Sequence, residues 1–269
     1  TSDVSAIIGG IQPNNRNNSF IKDTKYCIAE IDESDGSAEN YNIYLGIINN
    51  IDFDHCDYYK NIDEIIKTFK IFGSNSKKLL VNRDCEMIQK HIKSDYQWSI
   101  SNIKNTDYAL IPIEQTSTST IANYFESEIF ISKLEIPIPG LHNLSNINAA
   151  IAACRIQNIS FDKIKEKISL LKLPHKRFEF KGSIAGREII DDYAHHPREI
   201  KATLELGRLF IKDKNKYERL IAIFQPHRFT RVNEFFKEFA NELSLADEII
   251  LTNIYSAGEV NINNINSSI

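Results

Sequence analysis

No apolar run in this 269-residue sequence approaches the ~20 residues that a membrane-crossing helix needs, so no membrane contact is expected. The opening stretch "TSDVSAIIGG" lacks a basic region followed by a long apolar core, so no signal peptide is expected in it. Cysteine is sparse: Cys27, Cys56, Cys85 and Cys154 are scattered and form no Cys-x-x-Cys pair. That argues against a zinc site or a disulfide scaffold and fits reduced thiols, hence a cytoplasmic location. An excess of positive charge is missing too. Lys and Arg total 32 against 36 Asp and Glu, a net charge of −4, and nothing in that balance argues for nucleic acid as a partner. There is no internal repeat and no coiled-coil heptad.

What is present reads as soluble and globular: 42% hydrophobic and 25% charged residues, in a length suited to one large or two ordinary domains. The Asn-rich tracts "QPNNRNNS" and "VNINNINSSI" look like solvent-exposed filler and receive no function. With no initiating Met and an Asn-rich finish, the chain is expected to be a fragment at both ends.

Residues 24–93 alternate between strand and helix patterns. "TKYCIAEI" (24–31) reads as a buried strand and "NIYLGIINN" (42–50) as another; "IDEIIKTFKIF" (62–72) has helical spacing, and "KKLLVN" then "RDCEMIQKHI" reads as strand then helix. This order predicts a mostly parallel sheet covered by helices. From Tyr96 to Ile138, "YQWSI", "YALIPI" and "EIFISKLEIPI" alternate in the manner of antiparallel strands, inserted in or appended to that sheet. Helices are expected at 142–157 and 160–173, the second with Ser160 as N-cap, and Pro174 ends it. A second α/β run follows: a strand in "REIIDDY", a helix from Pro197, a strand at 219–225, a helix in "RVNEFFKEFANELS" and a strand in "DEIILTNIY". The predicted fold class is α/β, a mostly parallel central sheet with an antiparallel insertion, then a partial Rossmann-like domain. The predicted domains are 1–173 and 174–269.

In open α/β sheets, ligands bind beyond the carboxyl ends of the strands. Each of four predicted strand ends carries a polar cluster: Glu30, Asp32, Glu33 and Asp35; Asp52, Asp54 and His55; Asp192, His195 and His196; and Gln225, His227, Arg228 and Arg231. A single acidic strand end is ordinarily just solvated, and four together favour an active site. The first half supplies carboxylates and a histidine, suited to a hard divalent cation and its polyphosphate. The second supplies His227, Arg228 and Arg231, suited to a forked contact with a carboxylate. Together they point to ATP-driven activation of an acid.

"CIAEIDESDGS", "NNIDFDHCDYY", "GLHNLSNINAAIAA", "KRFEF", "IIDDYAHHPREIKATL", "FQPHRFTRV" and "NIYSAGE" resemble, in order and spacing, the Mur ligases of peptidoglycan synthesis. The resemblance covers nearly the whole chain, and the "DDYAHHP" and "QPHRFTR" pieces are its specific parts. It implies a three-domain enzyme using ATP and Mg2+, of which this chain would hold most of the central domain and the front of the C-terminal one. The Gly-rich phosphate loop, the nucleotide-sugar domain and the last strands are not among these residues, so the chain by itself is expected to be inactive. The branch implied joins L-alanine to the muramoyl carboxylate of UDP-N-acetylmuramate through an acyl phosphate. The branch that adds a whole peptide to the same nucleotide sugar is the nearest alternative, and a non-catalytic nucleotide-binding module is another.

The resemblance also implies roles. Glu30 matches a magnesium-binding acid, and His55 a catalytic histidine at the second magnesium and the phosphate. His142, Asn143 and Asn146 match the adenine side, Arg177 a phosphate-binding arginine and Asp192 an acid on the ribose. Tyr193, His195 and His196 would face the muramoyl carboxylate and the amine, the histidines as proton acceptors; for His196 a helix N-cap before Pro197 weighs equally. His227, Arg228 and Arg231 would hold the alanine carboxylate, with Ser256 or Glu259 lining that pocket. Asp32, Glu33 and Asp35 are expected to be solvated or to cap a turn.

Overall fold

The fold is taken from a computed structural model that describes residues 4–10, 18–214, 219–262 and 264–267. Most of the Asn-rich tract at 12–19 therefore lies outside the described residues. Strands β1 (Ser5–Ile7), β2 (Ser19–Phe20) and β3 (Cys27–Ala29) form a small sheet in the order β2-β1-β3. The strand expected at 24–31 is thus short, and it is exposed rather than buried, with Ile28 58% accessible.

The main sheet has six strands in sequence order: β4 (Ile43–Ile48), β5 (Ser76–Asn82), β6 (Tyr96–Ser99), β7 (Tyr108–Gln115), β8 (Thr120–Glu126) and β9 (Ile129–Ile136). Helix α1 (Ile62–Ser74) crosses from β4 to β5, and α2 (Glu86–His91) from β5 to β6. The α1 start is fixed reciprocally: Asn61 accepts the Glu64 N–H, and the Glu64 carboxylate accepts the Lys60 N–H at 2.8 Å. Ile65, Ile66 and Phe72 of α1 then bury against Ile48, Leu79 and Val81.

Antiparallel pairing starts one strand later than the alternation suggests. β6 is parallel to both β5 and β7, because helix and loop crossovers feed it from the same end. β7, β8 and β9 are antiparallel and appended at the sheet edge. Ser127 and Glu128, at φ 45° and 70°, close the β8–β9 hairpin in the left-handed region that a tight hairpin turn demands. Helix α3 (Leu141–Ile156) lies on the sheet and α4 (Phe161–Ile168) follows it. α4 is shorter than the periodicity implies, and the Ser160 side chain makes no capping bond.

The second unit opens with an antiparallel hairpin, β10 (Glu179–Ile184) and β11 (Arg187–Asp191). Helix α5 (Pro197–Lys214) leads to β12 (Ile221–Phe224), which pairs in parallel with β13 (Glu248–Leu251). The single helix expected between them is two, α6 (Phe229–Glu234) and α7 (Phe236–Leu243), broken at Phe235, where φ is −108°. The break lets Val232 and Phe239 both reach a core with Ile200, Leu204, Phe224 and Leu243.

Trp98 of β6 is fully buried, and its indole N–H donates to Ser145 Oγ on α3 at 3.0 Å. It packs with Leu80, Ala149, Ala152 and Ile156, so it joins sheet and helix layers. Trp98→Ala is expected to lower unfolding stability by about 3–5 kcal/mol in urea titrations, because the cavity adds to the lost transfer energy. A loss below about 1 kcal/mol would mean that this junction does not carry the layer packing.

Candidate active site

The loop after β4 is anchored at both ends by buried apolar side chains, Ile51 and Tyr59. The Tyr59 hydroxyl also donates to the Glu33 carbonyl at 2.7 Å, tying this loop to the turn after β3. Between the anchors, His55 adopts φ 53°, and its carbonyl accepts the N–H groups of Tyr58 and Tyr59. Its own N–H donates to Asp54 Oδ1 at 2.7 Å. Its Nε2 lies 3.6 Å from Glu33 Oε1. The Glu33 carboxylate raises the His55 pKa, burial opposes it, and Asp54 and Asp32 add to the rise. Glu33 therefore has a definite partner, whereas Asp32 and Asp35 cap turns through the N–H groups of Ser34 and Ser37. Glu30, just past β3, is exposed and accepts the Gly9 N–H at 2.7 Å; a Cβ on Gly9 would lie 3.1 Å from both carboxylate oxygens.

A second cluster gathers where α3 begins. Gly140 has φ 93°, and a Cβ there would sit 2.9 Å from the His142 ring, so only glycine fits. His142 is crowded by its surroundings, which lowers its pKa; Asp192 and Glu199 oppose the shift and Arg177 adds to it. Those electrostatic neighbours place His142, Arg177 and Asp192 together, although 50 residues separate His142 from Asp192. Asn146 is exposed on the same face. The Asn143 amide instead donates to the Pro139 carbonyl at 2.7 Å and stiffens the helix start. The Asp192 oxygens accept the N–H groups of Phe178 and Ala194, both at 2.8 Å, so this acid also shapes the turn.

Glu199 was not among the expected site residues, yet it organises the His-His-Pro turn. Its carboxylate accepts the N–H groups of His195 and His196 and lies 3.4 Å from Arg177. The signal was present: a glutamate three residues after a helix-capping position is half a capping box. His195 Nδ1 lies 2.9 Å from the Tyr193 carbonyl. A carbonyl only accepts, so Nδ1 carries the proton and Nε2 is left as the basic nitrogen. His196 is placed differently. Its ring packs edge-on against Phe235 at 5.0 Å, and its buried Nε2 has no hydrogen-bond partner. The Arg198 N–H donates to its Nδ1 at 3.4 Å, the contact of a helix cap.

The second unit's arginines meet the β4 loop directly. Arg231 is 5% accessible, and its Nε and Nη2 donate to the two Asp54 oxygens at 3.0 and 3.1 Å. Arg228 pairs with Asp57, and Arg198 with Asp52 at 2.6 Å. Phe53 packs edge-on against Phe235 at 6.2 Å. Arg231 is thus not an open carboxylate clamp; one fork is already filled by Asp54. Glu259 is similarly engaged, since its carboxylate accepts the Thr230 N–H and hydroxyl at 3.0 and 2.7 Å and so fixes the start of α6. Ser256 lends its carbonyl to the Glu259 N–H. The His227 ring stands 6.0 Å from His195 and 5.5 Å from Tyr255, and Tyr193 stands 5.2 Å from His195. The structure therefore brings Tyr193, His195, His227, Arg228 and Arg231 to one place, against the β4 loop that carries Asp54 and Asp57.

Beside this cluster, a cleft of about 660 Å³ lies between the two units, bordered by Gln115, His142, Arg198, Lys201, Arg208 and Lys212. Arg198, Lys201, Arg208 and Lys212 share this face of α5 with the acidic Glu205.

Two family descriptions match the chain: Mur ligase middle domain over residues 11–154, and Mur ligase, glutamate ligase domain, over residues 176–267. A relative from Prochlorococcus marinus subsp. pastoris, named UDP-N-acetylmuramate–L-alanine ligase, is 57% identical over 274 aligned residues, covering 100% of this chain and 58% of the relative. Among solved structures, the UDP-N-acetylmuramate-alanine ligase of Thermotoga maritima superposes with a TM-score of 0.77 at 24% identity, covering 94% of this chain and 55% of that one. The MurF ligase of Thermotoga maritima in complex with ADP superposes with a TM-score of 0.70 at 16% identity, covering 92% and 60%. The chain thus spans a little over half the length of the relatives it matches.

The contact between Glu33 and His55 has a measurable consequence. A raised histidine pKa means that the pair's stabilisation is complete below the ordinary value near 6.5 and fades as pH rises through the folded value. Glu33→Gln is expected to lower the His55 midpoint in an NMR titration. An unchanged midpoint would show that Glu33 does not hold the imidazole.

Proposed function

The chain belongs to the Mur ligase family, and on that premise we propose that it forms the central and C-terminal parts of a ligase joining L-alanine to UDP-N-acetylmuramate with ATP. The observation that carries this reading is the meeting of the acidic, histidine-bearing β4 loop with the arginine-bearing turn after β12. The 57% identity to a relative of that name supports the choice of substrates. Division into domains 1–173 and 174–269 is supported by the two family matches, which stop at 154 and resume at 176. A cytoplasmic location follows from a nucleotide-sugar substrate and ATP, and no helix among the described residues is long and apolar enough to cross a membrane.

On this reading ATP binds where His142, Arg177 and Asp192 meet, beside the cleft between the units. His142 and Asn146 face the base, Arg177 takes phosphate, and Asp192 keeps spare lone pairs for the ribose. Lys201 and Lys212 of α5 border the cleft with Glu205 between them, while Arg198 and Arg208 are paired with Asp52 and Asp247. That a structural neighbour, the MurF ligase of Thermotoga maritima, was solved in complex with ADP supports a nucleotide ligand.

Magnesium takes one or two protein carboxylates together with substrate phosphates rather than a protein cage. Among the described residues, no group of three or more His, Cys, Asp or Glu is gathered for a metal. Glu30, exposed and steadied by the Gly9 N–H, fits that sparse requirement and would hold the ion. The ion would neutralise charge on the polyphosphate. His55, facing Glu33, suits phosphate better than metal, since magnesium prefers oxygen ligands.

The muramoyl carboxylate oxygen attacks the γ-phosphorus, ADP leaves, and an acyl phosphate results. The alanine amine then attacks the acyl carbon and phosphate departs. The protein's part is positioning and charge neutralisation. His195, with its proton on Nδ1, presents a basic Nε2 to the amine proton. Arg228, His227 and the remaining N–H groups of Arg231 hold the alanine carboxylate; Tyr193 and Ser256 border the pocket, and Glu259 fixes the turn that carries Arg228.

The test is phosphate release by the complete ligase with UDP-N-acetylmuramate and ATP, alanine compared with a tripeptide. Alanine-dependent release is expected, and dependence on the tripeptide would replace this reading with a peptide-adding one. Arg228→Ala is expected to raise the alanine KM about 10- to 100-fold, the worth of a charge-assisted carboxylate contact. An unchanged KM would remove Arg228 from the amino-acid site.

A further inference from the structure

Asp54 sits in the β4 loop of the first unit, one residue before His55, and belongs to neither amino-acid nor nucleotide recognition as read above. Its carboxylate has unusual reach. One oxygen accepts the His55 N–H and Arg231 Nε, and the other accepts Arg231 Nη2 from the second unit. Arg231 Nη1 in turn lies 3.3 Å from His227 Nδ1. A guanidinium only donates, so His227 Nδ1 must accept, and the imidazole proton then sits on Nε2. The state of His227 is set by an arginine whose own orientation is set across the unit boundary.

We propose that Asp54 is a positioning residue, which aims Arg231 and through it fixes His227 as its Nε2–H tautomer, so that the amino-acid side of the site is assembled only when the two units meet. In the reading of the site given above, His227 then offers an N–H donor to the incoming carboxylate, while neighbouring His195 keeps its basic Nε2 for the amine. Two imidazoles 6.0 Å apart thus hold opposite tautomers, one set by the Tyr193 carbonyl and the other by Arg231. Burial supports the chain of contacts. Arg231 and Asp54 side chains are 6% and 19% accessible, so solvent does not readily replace either partner. The Arg198–Asp52 and Arg228–Asp57 pairs and the Phe53–Phe235 contact surround this fork and hold the same two segments together. Arg231 lowers the His227 pKa, after burial, which agrees with a neutral ring.

The proposal rests on the ligase reading for the identity of the carboxylate, and its test has an arm that does not. The first arm follows His227 ring nitrogens by NMR in the 269-residue chain without substrate. The wild type is expected to show the Nε2–H form, and Asp54→Asn and Arg231→Gln each to give a mixture of tautomers. The double variant should add nothing to either single one. If a variant does not fold, Asp54→Glu and Arg231→Lys keep both charges and are expected to give the same loss in smaller measure. A contact that only ties the units together would lower Tm and leave the His227 tautomer as it was, and that result overturns the proposal. The second arm measures steady-state kinetics in the complete ligase. Asp54→Asn is expected to raise the alanine KM at least 10-fold and leave the ATP KM within twofold. Equal change in both would overturn the positioning role. An inactive wild type would reject the ligase reading and leave the first arm to decide the proposal.

Discussion

The forked ion pair between Asp54 and Arg231 is the contact on which the site's geometry depends. The other two pairs at the boundary are more exposed: Arg198 keeps 66% of its side chain accessible, and Asp57 keeps 44%. Pairs of that kind contribute about 0–1 kcal/mol and are screened by salt. Removing one partner of a buried pair costs about 3–5 kcal/mol, because the other charge is stranded away from water. The magnitudes single out the buried fork as the element that sets register, with the exposed pairs adding orientation and Phe53 against Phe235 adding apolar contact.

The backbone on both sides of this fork is strained in a way that fits the same purpose. His55 and Arg228 adopt φ of 53° and 70°, a region that costs a non-glycine residue on the order of 1–3 kcal/mol. Each is held there by hydrogen bonds on both of its flanks. His55 is fixed through Asp54, Tyr58 and Tyr59, and Arg228 donates its N–H to the Tyr255 carbonyl while its own carbonyl accepts from Val232. Arg228 thereby reaches Asp57 across the boundary, and His55 faces Glu33 within its own unit.

Much of this was legible in the sequence where local rules decide structure. The apolar spacing of α1 and the Pro197 start of α5 follow from side-chain periodicity and backbone chemistry, whereas the helix expected to run to Pro174 stops at Ile168. What failed were features set by pairing over distance. The alternation in "YQWSI" could not say that β6 is parallel on both sides, and the apolar run at 24–31 could not say that β3 is exposed. Which acid meets which arginine was equally hidden, because Asp54 and Arg231 lie 177 residues apart. Glu33 and Glu199 looked like ordinary surface acids until their partners, His55 and the His195–His196 backbone, were in place.

The acid-bearing loop of one unit and the arginine-bearing turn of the other close on each other through the Asp54–Arg231 fork. Small-angle X-ray scattering of the chain at low and moderate salt tests it most directly. One profile is expected at both, that of the closed arrangement, because the buried fork is poorly screened. A profile that fits only separated, independently moving units would contradict this closure.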